Sequence, residues 1–307
     1  MLNKIPTVSM AICISLTSFA QPLKPALYKD YVFAEVTIQK NLSYSTDTTN
    51  NKYYLFDLYR PKGDSSKERP LIIWMHGGGF KYGTKKAKGI RMWGKSFARR
   101  GYTCAAINYR LSKKNPLRSF KALVKGCSEA LEDVTKAIEF FKKNNTLYNI
   151  DTTRIILAGN SAGAIIALQS VYSSQAALSE LIDEPDSTRE NYIYNRNNVV
   201  AIINFWGALF NTNWLKNANI PIVSAHGRKD RIIPYAHKDS PMYGSYHIHQ
   251  TADSLKIPNR LKTFDRFGHE LQKHFIPIFR SRATKRRWLE AGQFAADFLY
   301  KEVINNH

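Results

Sequence analysis

Acidic residues are scarce in this chain: 24 Asp and Glu stand against 45 Lys and Arg, giving a formal charge of +21 over 307 residues. Cysteine is scarcer still, at three, and no Cys/His spacing of the metal-binding kind occurs. No apolar run reaches the roughly 20 residues that a membrane-spanning helix needs. Internal repeats, low-complexity stretches and a dinucleotide-binding glycine pattern are also missing. With 44% hydrophobic and 22% charged residues the composition is that of an ordinary globular protein, which excludes disorder, collagen and coiled coil for the chain as a whole.

The excess of positive charge admits nucleic acid, an anionic membrane surface or an acidic polysaccharide as partner, or solubility alone. The basic residues are scattered, with short clusters at Lys85–Lys88 and Lys285–Arg287. No basic stretch interleaved with aromatics is present, which argues against nucleic acid.

Residues 1–20 read as an export signal. Lys4 supplies positive charge, Ile5 to Leu16 is mostly apolar, and Ser18 and Ala20 offer small residues for cleavage before Gln21. The mature chain, 21–307, is then expected as one catalytic domain, exported to a periplasmic or extracellular location without an integral anchor. Cys104 and Cys127 remain in it. An oxidising compartment permits their pairing; the buried strand expected around Cys104 equally suits a free thiol acting as a small apolar residue.

Periodicity predicts strands over Val32–Leu42, Tyr53–Tyr59, Leu71–Met75, Tyr102–Asn108, Arg154–Ala158, Val199–Phe205, Pro221–Ala225 and Arg260–Asp265. A turn is expected at Thr46–Asn51 and a polar loop at Asp183–Asn198. Helices are expected over Ala130–Lys142, Ser161–Ser173 and Ala283–Val303. Short apolar strands alternating with helices predict an α/β fold, a mostly parallel twisted sheet covered on both faces.

Three glycine-bearing segments fall just after predicted strands. Gly159-Asn160-Ser161-Ala162-Gly163 is a G-x-S-x-G sequence between a strand and a helix, which lifts Ser161 on a sharp turn above a helix N-terminus. His76-Gly77-Gly78-Gly79 lets backbone N–H groups approach a ligand closely. No Gly-Lys-Ser/Thr follows it, so it is not a phosphate loop. Gly78, Gly79 and Ala162 are the candidate oxyanion donors, with His76 and Gly77 supporting the loop. The third segment is a pair: Asp230 in His226-Gly227-Arg228-Lys229-Asp230, and His269 in Gly268-His269-Glu270. A surface ion pair competes for Asp230, and His237, His247, His249 and His274 compete with His269. Position after the last strand selects His269.

Together these residues resemble the α/β-hydrolase superfamily, within it the carboxylesterase and hormone-sensitive-lipase-like group with an HGGG loop, from about Tyr53 to Tyr300. The chain is also similar to compact bacterial esterases of the acetyl-xylan or feruloyl kind, with little or no cap domain. Asn160 departs from the Asp or Glu of many relatives. The resemblance implies a serine esterase with a Ser161–His269–Asp230 triad and neither metal nor organic cofactor. Its substrate would be a small-molecule or polysaccharide ester, including acetyl or feruloyl groups on carbohydrate. Phe80, Trp206, Phe210, Trp214 and Tyr235 are candidates to stack on such a substrate, or to pack as ordinary core. A peptidase on the same fold and a non-catalytic binding module are the rival readings. The oligomeric state is left open.

Overall fold

A computed structural model describes residues 25–47, 51–183, 198–237, 240–276 and 280–305. The expected export signal, most of the polar loop over 183–198 and part of the turn at 46–51 lie outside them.

In chain order the elements are β1 (Val36–Ser43), β2 (Leu55–Pro61), β3 (Arg69–Met75), α1 (Lys88–Ala98), β4 (Thr103–Ile107), α2 (Phe120–Lys143), α3 (Asn145–Tyr148), β5 (Ile150–Asn160), α4 (Ala162–Tyr172), α5 (Gln175–Glu180), β6 (Val199–Phe205), β7 (Ala208–Leu209), β8 (Ile222–Gly227), β9 (Tyr243–Gly244), α6 (Ser245–Ser254), β10 (Asn259–Phe264) and α7 (Arg282–Leu299). Eight strands form one sheet in the order β1-β2-β4-β3-β5-β6-β8-β10. β2 pairs antiparallel with both β1 and β4, and every other neighbouring pair is parallel. β7 and β9 make a separate two-stranded ribbon.

The two-residue alternation of a strand divides the core between the faces. On β3, Leu71, Ile73 and Met75 pack in a layer with residues of α2, α4 and α6, whereas Ile72 and Trp74 pack in a layer with α1 and α7. All seven β3 residues are buried, as a central parallel strand covered on both faces requires.

Four helices, α1, α3, α5 and α6, were not among those expected, and α2 is longer than expected. α1 was not expected, because Gly89 and Gly94 interrupt its pattern; both glycines lie where a side chain would press on Trp93 or Tyr59. α2 begins at Phe120, well before Ala130, with the Ser119 hydroxyl capping it by accepting the Ala122 N–H at 3.2 Å. Cys104 and Cys127 are both buried and free, so the small-apolar reading of Cys104 holds. No helix among the described residues is long and apolar enough to cross a membrane.

Candidate active site

The C-terminal ends of β3, β5 and β8 bring the glycine-bearing segments to one edge of the sheet. β5 ends at Asn160 and α4 starts at Ala162, so Ser161 alone makes the reversal. It does so at φ 53° and ψ −123°, a strained conformation for a residue with a side chain. The turn closes only because two glycines allow backbone to meet backbone. A Cβ on Gly163 would lie 2.1 Å from the Met75 carbonyl oxygen, and one on Gly159 would lie 2.3 Å from the Gly163 carbonyl carbon. The Ser161 N–H donates to the Phe205 carbonyl at 2.9 Å, tying the turn to β6.

His269 follows β10 in a short 3-10 turn, and Asp230 follows β8. The Ser161 hydroxyl lies 3.1 Å from His269 Nε2, and His269 Nδ1 lies 2.8 Å from Asp230 Oδ2. These partners put the ring proton on Nδ1 and leave Nε2 as acceptor for the hydroxyl. Asp230 Oδ1 accepts the N–H groups of Ile232 and Ile233 at 2.9 and 3.0 Å. Burial alone would raise the Asp230 pKa; hydrogen bonds from His226 and His269 override it and hold the carboxyl well below the usual carboxylate range. Asp230 is therefore a buried anion, not half of a surface ion pair. Its basic neighbour Arg228 instead pairs with Asp265 at 2.5 Å.

The competing histidines have other surroundings. His237 stacks on Tyr243 with ring centroids 4.0 Å apart, His249 Nδ1 meets Asn259 Oδ1 at 2.5 Å, and His274 is exposed.

The glycine loop leaves β3 with His76 buried against Tyr109, the rings stacked at 4.3 Å. The Tyr109 hydroxyl donates to the His76 carbonyl at 2.7 Å, and His76 Nδ1 donates to the Gly77 carbonyl at 2.8 Å. Burial pushes the His76 imidazole down to about 4, so it is neutral near pH 7. The Gly77 N–H donates to Asn160 Oδ1 at 3.2 Å and is thereby turned away from the oxyanion role. Gly78, at φ 123°, and Gly79, at φ 59°, continue the loop. Among the described residues, the N–H groups of Gly78, Gly79 and Ala162 find no acceptor. Ala162 adds the positive end of the α4 dipole.

Two contributors to the site, Asn160 and His226, and one buried ion pair beyond the glycine loop escaped the sequence reading. Asn160 stood out only as a departure from relatives, yet its amide bridges the nucleophile turn and the glycine loop. Lys85, seen only within a basic cluster, is buried in an ion pair with Asp57, and its N–H donates to Asn108 Oδ1 at 2.7 Å. His226, just upstream of Asp230, is buried; its Nε2 donates to the Ile233 carbonyl at 3.2 Å, and its Nδ1 accepts from the Ser245 hydroxyl at 2.8 Å.

Ser161 and His269 border a cavity of about 800 Å³. Phe80, Leu117, Phe120, Ile165, Ile232 and Met242 supply much of its lining, and the Glu270–Arg280 ion pair closes one side. Of the aromatics expected near a substrate, only Phe80 lines this cavity. Trp206 stacks with Phe205 and Trp288 in the core, Phe210 packs edge-on to Phe120, and Tyr235 hydrogen-bonds Thr263 at 2.7 Å.

A family model described as BD-FAE matches residues 56–213. Gut esterase 1 of Caenorhabditis elegans is 29% identical over 136 residues, which cover 44% of this chain and 22% of that protein. Arylacetamide deacetylase of Oryctolagus cuniculus is 24% identical over 286 residues, covering 77% of this chain and 67% of that protein. Among solved structures, a truncated carbohydrate esterase from gut microbiota superimposes with a TM-score of 0.56 at 17% identity, over 89% of this chain and all of the other. That likeness shows the α/β-hydrolase fold.

Proposed function

The chain belongs to the BD-FAE family, and from that premise we propose that it is a serine hydrolase of carboxylic esters working through an acyl-enzyme on Ser161. The observation that carries the reading is the unbroken line Ser161 Oγ, His269 and Asp230, with steps of 3.1 and 2.8 Å, beside three N–H groups that find no acceptor among the described residues.

In the proposed reaction the Ser161 oxygen attacks the ester carbonyl while His269 Nε2 takes its proton. Asp230 holds the ring tautomer and stabilises the imidazolium. The Gly78, Gly79 and Ala162 N–H groups bind the tetrahedral oxyanion; losing one such donor typically costs about 2.7–4 kcal/mol of transition-state stabilisation. His269 then gives its proton to the leaving alcohol. Water, deprotonated by the same ring, attacks the acyl-enzyme and releases the carboxylic acid and free Ser161.

Small-molecule and carbohydrate-linked esters are the proposed substrates, and export through residues 1–20 is the proposed route to them. Covalent labelling with a fluorophosphonate tests the reading. Wild type should gain one adduct, on Ser161, and lose esterase activity in step. Labelling elsewhere with activity retained would refute it.

A further inference from the structure

Eleven large apolar side chains are exposed among the described residues. They are not spread evenly. Tyr82, Leu117, Ile232 and Phe275, exposed by 65, 60, 47 and 37%, all line the mouth of the Ser161 cavity, and Ile276 follows at 46%. These five come from four separate segments, residues 80–88, 113–121, 229–233 and 273–276. The fold draws the segments together. Leu117 covers Gly79 so closely that a Cβ there would lie 2.7 Å from it. Lys81 Nζ donates to the Lys113 carbonyl at 3.3 Å, and Phe275 stands edge-on to His269 with centroids 5.0 Å apart.

Charge on the same four segments is one-sided. Lys113, Lys114, Arg118, Arg231 and Lys273 are all exposed, and none is in an ion pair among the described residues. Asp230 is their sole acid, and it is buried against His269. Glu270, on the cavity wall, is already neutralised by Arg280. An apolar patch fringed by unpaired cations matches a surface that is apolar inside and anionic outside. Three of the five apolar residues are Leu or Ile, which have no flat ring to stack on a sugar, so an acidic polysaccharide fits them poorly.

We infer that the cavity mouth docks on an anionic lipid surface. Tyr82, Leu117, Ile232, Phe275 and Ile276 enter the acyl layer while the five cations meet lipid phosphates. An apolar ester dissolved in that layer would then pass straight into the cavity. The docking does not depend on the proposed hydrolysis, and the two are tested apart.

Co-sedimentation of the full chain carrying Ser161→Ala with phosphatidylglycerol vesicles, and separately with phosphatidylcholine vesicles, reads the docking without turnover. Binding should favour phosphatidylglycerol and weaken with salt. Combining Lys113→Glu, Lys114→Glu and Lys273→Glu should lower the partition coefficient by at least about tenfold. The same triple change in the otherwise wild-type chain should leave hydrolysis of a soluble p-nitrophenyl ester unchanged. Ile276→Ser, outside the cavity, should weaken binding with no change in net charge. Absence of binding to phosphatidylglycerol at low salt would overturn the inference. So would equal binding by the triple variant, which would assign the attraction to the overall charge, or retention on polygalacturonate without vesicle binding.

Discussion

Asp230 Oδ2, which takes the N–H of His269, also stands 3.4 Å from Nε2 of the buried His226. The acid of the proposed triad is thus held from two imidazoles and from two backbone N–H groups at once. Asp230→Asn should lower kcat by about 10⁴-fold, as expected when the imidazole loses its tautomer-fixing anion. It should also change the acid limb of stability. A carboxyl depressed by folding contributes stability above its ordinary pKa, and that contribution disappears as pH falls through the folded value. Thermal melts of the Asn variant below about pH 4 should therefore be flatter with pH than those of wild type.

Ser161 couples reactivity to strain. Ser161→Ala should cut turnover of a short p-nitrophenyl ester by at least about 10⁴-fold while the protein remains folded. Ser161→Gly should be as inactive, yet melt higher than Ser161→Ala. Glycine adopts a positive φ freely, and relief of such strain is worth about 1–3 kcal/mol. Calorimetry of the two variants side by side checks this, and equal melting temperatures would mean that the turn stores no strain.

Asn160 offers a finer test of the glycine loop. Asn160→Leu removes the acceptor for the Gly77 N–H and should lower kcat by about tenfold or more, with a smaller effect on KM. Asn160→Asp keeps an acceptor and should recover most of the loss. Steady-state kinetics of the pair distinguishes a lost hydrogen bond from a general disturbance of the turn.

Two buried imidazoles tie the stability of the fold to pH. Burial pushes both His76 and His249 from 6.5 down to about 4. The folded state favours the neutral ring, so their contribution is complete above the ordinary value and is lost as pH falls toward 4. Each accounts for about 3 kcal/mol across that window. Melting temperature should fall between about pH 7 and pH 5, and His249→Gln should fall less steeply.

The elements that position the chemistry were legible because they obey local rules. β6 has the predicted bounds, and the strand before Ser161 and the helix after it are where the G-x-S-x-G sequence requires them. α1 was hidden because its two glycines and three basic residues mask an apolar face that only Tyr59, Trp93 and Trp288 reveal. Asp230 was ambiguous because three of its sequence neighbours are basic; in the fold Arg228 pairs with Asp265, and Lys229 and Arg231 are exposed while Asp230 is buried. The hold of His226 on Asp230 depends on how that turn folds back, which no spacing announces.

The approach of Gly163 to the Met75 carbonyl joins main chain to main chain. The spacing between the nucleophile turn and the end of β3 is therefore a property of the peptide skeleton, and the Asn160 amide is the side-chain tie that adds the glycine loop to it. Diversification of such a hydrolase is confined to the loops around the entrance. There, residues can be traded for a new acyl or alcohol group without moving any atom that takes part in bond making.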